Sequence, residues 1–293
     1  MARVKKLNHY TGFDVFLVVL MGLLALITAF PFYYMVIVSF GTYESIHSQT
    51  LYLWPSVFDT AAYKIVFENK LFWSSVRTTV FVTVVGTFLG VICSVAAAYP
   101  LSKKDLPGGK FFFNMMLFTM FFSGGMVPDY LLIRDLDLIN SIWSLILPGA
   151  ISAYNITIMR NYLMALPDSL EESAYIDGAN DIVILYKIIV PLSLPILATI
   201  ALWTAVGHWN AWFDAMIYIQ DTNKQVLAIT LRRIVLQGSN SVVTMSGEEM
   251  STQTTSDTIK AATIMVATVP ILCVYPFIQK YFVQGVMIGS IKG

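Results

Sequence analysis

The chain has 293 residues, of which 57% are hydrophobic and only 12% charged, whereas an ordinary soluble domain carries about 25% charged residues. Eighteen basic side chains balance eighteen acidic ones, so no bulk positive field favours nucleic acid. Together with a mean hydropathy of +0.69, and with the charges kept to the gaps between apolar runs, this is the economy of a protein inside a bilayer.

Six apolar runs approach the length needed to cross roughly 30 Å of hydrocarbon as helices. They are Val15–Val38, Thr78–Ala98, Phe111–Val127, Ile139–Ile158, Ile188–Phe213 and Ala261–Ile278, and none contains Asp, Glu, Lys or Arg. The expected fold is all-α and integral to the membrane, with six transmembrane helices in a single domain over residues 1–293. The first run is too long for a signal peptide and lacks its small-residue cleavage pattern, so it reads as an anchor. Arg3, Lys5 and Lys6 precede it. Lys103, Lys104 and Lys110 lie in the second gap, Arg160 and Lys187 in the fourth, and Lys280 and Lys292 at the end. That placement puts both termini in the cytoplasm. The opposing gaps hold Lys64, Lys70, Arg134, Arg232 and Arg233, but within long loops, which count for less. Two readings fit Ser123-Gly124-Gly125-Met126-Val127-Pro128, which ends the third run: a broken helix end lining a cavity, or a surface loop. Trp73, Trp143, Trp209 and Trp212 fall at span ends, as an interfacial aromatic belt requires. Cys93 and Cys273 lie inside apolar runs and read as free thiols. No Cys/His cluster has metal spacing, so no metal site is expected.

Between the fourth and fifth runs comes a polar loop at about 167–190. Asp168 or Ser169, after Pro167, starts a helix; Ser169 with Glu172, and Asp168 with Glu171, have capping-box spacing. Gly178 is placed to stop that helix after about Asp177 by turning left-handed. Asn180 or Asp181 then caps a second short helix before Pro191. Two short helices joined at a glycine make a compact knob that can fit a cleft in a soluble partner. Glu172 and Asp177 also fit as plain cap and turn residues.

Taken together, Glu172-Ser173-Ala174-Tyr175-Ile176-Asp177-Gly178-Ala179 and the later Pro191-Leu192-Ser193-Leu194-Pro195 resemble the coupling loop of type I ABC importer permeases. Ser173 stands where that family usually has Ala, and Leu185 where Phe is common. Pro191–Trp212 looks like the fifth helix of carbohydrate importer permeases. Gln279–Gly285 with Gly289–Gly293 resembles the end of the shorter permease of maltose-type systems. Ser123–Pro128 and Met159-Arg160-Asn161-Tyr162 look like the branch that takes up oligosaccharides and polysaccharide fragments. The resemblance implies that Glu172, Ala174, Asp177, Gly178 and Ala179 couple this chain to an ATPase. It implies a second, different permease, two ATPase subunits that bind the ATP and Mg, an extracytoplasmic solute-binding protein and a carbohydrate substrate, in the bacterial cytoplasmic membrane. Tyr154, Asn155, His208, Trp209 and Asn210 are candidates for the sugar path, being polar and aromatic groups inside or at the end of apolar spans. Helix–helix hydrogen bonding is the plainer role for Tyr154 and Asn155. The outer loop at about 214–257 is expected to reach the binding protein through its tip, Gly238, Ser239, Asn240 and Ser241.

The motifs of other activities are missing. No G-x-x-x-x-G-K-[ST] phosphate loop occurs; Leu106-Pro107-Gly108-Gly109-Lys110 is too short. This chain is therefore expected neither to hydrolyse ATP nor to carry a cofactor. No G-x-S-x-G elbow or H-E-x-x-H appears. No span carries the acid or arginine of a proton relay. A membrane enzyme built on His208 and Asp214, a permease for another solute class, and a non-transporting sensor remain the alternative readings.

Overall fold

The computed structural model describes residues 11–48, 52–237 and 256–290, all of its regular elements helical. The chain divides into two compact units, one holding the chain up to Asn69 with Ile234–Ala267, the other Lys70–Arg233 with the chain from Thr268.

The first unit contains α1 (Gly12–Ser39), α2 (Tyr43–His47) and α3 (Ala61–Glu68). Thr11 and Asp14 form a capping box at the start of α1. Most of α1 exposes apolar side chains all round, which only lipid or a partner helix can cover. Its last turn is buried, where Ile37 and Val38 cluster with Tyr52 and Ala261.

The second unit is organised on α4 (Lys70–Ser102), which packs against α7 (Ala153–Leu163) and α11 (Leu194–Asn210). Gly86, Gly90, Ser94 and Ala98 recur every four residues on the buried face of α4. Such a small-residue stripe lets helix backbones approach closely where lipid supplies no hydrophobic drive. A side chain at Gly86 would lie 2.5 Å from His208 Nε2 of α11, and one at Gly90 would lie 3.2 Å from Thr204 Cγ2. The core below the stripe joins Ala98, Ile156, Met159, Ala174, Ile184, Ile189 and Ile200. At the other end of α4, Ser75 and Thr230 share a hydroxyl hydrogen bond at 2.7 Å, and Thr79 Oγ1 accepts from Leu227 N at 2.8 Å, which fixes the start of α13 (Leu227–Gln237).

Among the described residues, three helices are long and apolar enough to cross a membrane: α1, α4 and the first part of α14 (Ser256–Ser290). The number rises to five if each of two bent pairs is one span. In the first pair, α5 (Gly109–Phe121) meets α6 (Met126–Asp135) at 113°. The chain leaves α5 and enters α6 across Ser123-Gly124-Gly125, with Gly125 at φ +91°. In the second pair, the knob-side segment Asp181–Leu192 meets α11 at 79°, hinged at the buried Ser193. Five residues, Leu185–Ile189, form a π-helical turn in that segment.

Ile139–Ile158 differs most from the reading as one straight span. It holds a short 3₁₀ turn, Ile142–Leu145, then an irregular stretch, then α7. Hydropathy ignores the local chemistry here. Asn140 sits at φ +61° and is pinned: its N–H donates to Tyr218 O at 2.7 Å, and its Oδ1 accepts from Asp221 N at 3.0 Å. Pro148-Gly149 then interrupts the helix, and Ser152 Oγ caps α7 by accepting from Asn155 N.

Candidate functional site

The knob forms as its turn residues dictate. α8 (Ser169–Ile176) ends on Asp177, and Gly178 follows at φ +81°. Gly178 N donates to Tyr175 O at 3.0 Å and Ala179 N to Ala174 O at 2.9 Å. These are the two bonds of a Schellman cap. Asn180 Oδ1 then accepts from Val183 N at 2.9 Å and starts α9 (Asp181–Ile184). A hydrogen bond from Tyr175 Oη to Asp181 ties the two helices together and pushes the phenol's pKa up.

Neither capping-box spacing is realised at the start of α8, because Asp168 is drawn elsewhere. Its Oδ2 accepts from Lys104 Nζ at 2.7 Å, and Lys103 pairs with Glu171. Burial alone would push the Lys103 ammonium down. Its bonds to Glu171 and Tyr99 outweigh that and hold it above the usual lysine range. Lys104 likewise holds Asp168 below the usual carboxylate range, so this pair survives acidification until the pH falls below that range. Both lysines lie just past the end of α4, so the knob is tethered to the stripe-bearing helix.

The five expected coupling residues divide by environment. Glu172, Asp177 and Gly178 are exposed, Ala179 is half-buried, and Ala174 is buried in the core, where it seats α8. The loop also exposes apolar side chains: Ile176 is 87% exposed, and Ile182 and Tyr186, six and ten residues further on, are exposed as well.

A cavity of about 320 Å³ lies at the far end of α11. Asn155, Trp203, Thr204, His208 and Asp214 line it, with Gly149. Of the expected path residues, Asn155 and His208 therefore meet there. Asn155 Nδ2 donates to Thr204 Oγ1 at 3.3 Å, a helix–helix bond that leaves its carbonyl oxygen toward other partners. Tyr154 reaches the wall indirectly, its ring 5.8 Å from that of Trp203. Trp209 and Asn210 do not line the cavity; Asn210 Nδ2 is spent on Val206 O at 2.9 Å. Trp203 and Thr204 were not among the expected residues, although Thr204 lies one helical turn before His208 and shares its face, as Trp203 does with Gly207. One indole face with a few convergent polar groups suits a neutral polyol. Gly238, Ser239, Asn240 and Ser241 lie outside the described residues. Among those described, no group of three or more His, Cys, Asp or Glu side chains is placed to hold a metal ion.

No protein-family model matches the chain. The chain is 43% identical to the polygalacturonan/rhamnogalacturonan transport system permease protein YtcP of Bacillus subtilis, over 96% of this chain and 98% of that protein. It is 40% identical to protein LplC of the same organism, over 96% and 95%. It also matches, at 27% identity over 92% and 93%, the arabinooligosaccharides transport system permease protein AraQ of Halalkalibacterium halodurans. Among solved structures, a chain of a bacterial ABC transporter involved in the import of the acidic polysaccharide alginate superposes with a TM-score of 0.85 at 35% identity, over 94% of this chain and 99% of that one. Two of these relatives are transport system permease proteins, and the solved chain is part of an ABC transporter. With its helical fold and apolar spans, the chain belongs to the permease family of carbohydrate ABC importers.

Proposed function

We propose that this chain is one of two different permeases in a binding-protein-dependent importer of the bacterial cytoplasmic membrane. Its substrate is an oligosaccharide or polysaccharide fragment. Two ATPase subunits supply ATP and Mg chemistry, and this chain carries no cofactor of its own. The observation that carries this reading is the exposed knob of Glu172, Ile176, Asp177 and Gly178, locked by its Schellman cap and tethered through Lys103 and Lys104. A rigid projection with an apolar tip is what docking into an ATPase cleft needs. Uronate-bearing fragments are the first substrates to try, because the names of two relatives point to acidic polysaccharides. The deciding experiment is purification with partners, followed by ATPase measurements over acidic and neutral oligosaccharides. Stimulation by none of them would overturn the import reading.

Six spans with cytoplasmic termini go with this proposal, and the tip of the outer loop contacts the binding protein. In a background without Cys93 and Cys273, cysteines at positions 104 and 172 should label from inside only. A cysteine at position 239 should label from outside and be protected by the loaded binding protein. Outside labelling at 172 overturns the topology; unprotected labelling at 239 overturns the contact.

The α11 cavity is proposed to lie on the substrate path. His208→Ala should raise the half-saturating substrate concentration by about 3- to 10-fold, the worth of one lost hydrogen bond. Basal ATP hydrolysis should not change. Uptake equal to wild type would remove the cavity from the path.

A further inference from the structure

A second cavity, of about 630 Å³, opens between the end of α4 and the start of α5. Lys103, Lys104, Lys110 and Arg160 line it, together with Leu106 and Phe111. Two of these cations are already matched, Lys103 by Glu171 and Lys104 by Asp168, and Asp105 adds to the negative field at Lys104. The other two are not. Lys110 is exposed, and no acid lies within ion-pair distance of it among the described residues. Arg160 is half-buried; its Nε donates to Leu101 O at 2.7 Å and its guanidinium lies 4.1 Å from the Phe113 ring centroid. Those contacts fix the plane of the guanidinium but leave its terminal amino groups without a protein acceptor among the described residues. A fixed guanidinium and an exposed ammonium at one cavity, neither matched by an acid among the described residues, fit a single phosphate, which arginine binds through paired donors.

The rim of the cavity narrows the source of that phosphate. Phe111 lies in the first turn of the apolar helix α5, and further along it Phe112, Met115 and Phe118 are each more than half exposed. A phosphate held at Lys110 and Arg160 therefore has an uncovered apolar track leading away from it. We propose that this cavity binds the phosphodiester headgroup of an anionic phospholipid, whose acyl chains run along the exposed face of α5. The charge matches: one diester anion faces the two cations that lack an acid. The site shares its wall with the knob's tether, since Lys103 and Lys104 serve both.

The test uses the assembled importer in nanodiscs containing phosphatidylglycerol or phosphatidylcholine with a photoactivatable group in one acyl chain. Crosslinking to the peptide spanning Phe111–Phe118 should favour phosphatidylglycerol by about 30-fold, as roughly one kcal/mol for each of the two unmatched basic groups near a lipid surface predicts. Lys110→Glu should abolish the preference and Lys110→Arg should keep it. Inorganic phosphate at millimolar concentration should not compete. Equal labelling by the two lipids overturns the proposal, as does a Lys110→Glu complex that labels like wild type. Displacement of the lipid by inorganic phosphate would assign the cavity to a soluble anion instead. Crosslinking of a cysteine at position 110 to a partner subunit would show that protein, not lipid, fills it.

Discussion

Gly178→Val is expected to leave the protein folded and inserted, yet uncoupled. Nothing lies within 4 Å of where a side chain would sit, so the substitution brings no clash. Its whole cost is conformational. Gly178 stands at φ +81°, and a β-branched residue there loses about 1–2 kcal/mol. Leaving that φ breaks both Schellman bonds and re-aims α9 relative to α8. If the docked geometry loses that much, its population falls by about 5- to 30-fold. Transport and substrate-stimulated ATP hydrolysis should fall together, with basal hydrolysis by the ATPase subunits preserved. Gly178→Asn should retain most function, since asparagine tolerates the left-handed region. Wild-type transport by the valine variant would show that the turn is not a coupling element.

Gly86→Leu is expected to fail at an earlier stage. Its Cβ would meet the His208 ring at 2.5 to 2.9 Å, in the middle of the α4–α11 contact. A leucine must push the helices apart, and overpacking of this kind costs about 1–3 kcal/mol, more where two backbones are close. Lower yield in membranes and a lower melting temperature should follow. Gly86→Ala is the finer instrument. The imidazole can swing toward the neighbouring cavity, so stability should hold while substrate affinity drops. Adding His208→Ala to Gly86→Ala should then cost little further affinity, because both changes act on one contact. Strict additivity of the two effects would show that Gly86 does not act through His208.

The knob was legible in the sequence because its chemistry is local. A glycine stop, an asparagine cap and a helix of two turns need only neighbours within four residues, and Gly178 and Asn180 behave as their types require. Asp168 shows where that reasoning ends. Its capping partner lies three residues away, but Lys104 lies 64 residues away and takes it. A long-range ion pair leaves no trace in spacing. Ile139–Ile158 departs from one straight helix for the opposite reason: a hydropathy window averages over Pro148-Gly149 and the Ser152 cap, which were visible in the sequence. Gly86 and Gly90 show a third limit. Their four-residue spacing was on view, but only the approach of α11 tells which face of α4 they open. The cavity was half legible, since His208 and Asn155 stand out as polar groups in apolar runs whereas Trp203 and Thr204 look like ordinary span residues.

The buried seat of Ala174 and the hinge at Ser193 have a mechanical consequence. The knob cannot swing freely, because α8 is bolted to the body through Ala174 and its two ion pairs. The same unbroken run of chain goes from Asp181 at the knob, round the 79° corner, and up α11 to His208. From Leu194 to His208 the helix rises about 21 Å at 1.5 Å per residue. That is a lever with its short arm in the knob and its long arm beside the cavity. Tilting it by about 5° about the corner sweeps the imidazole through about 2 Å, by the same helical rise. If the corner at Ser193 holds rigid, a push too small to disturb its packing is large enough, at the other end, to change which hydrogen bonds the His208 imidazole can reach.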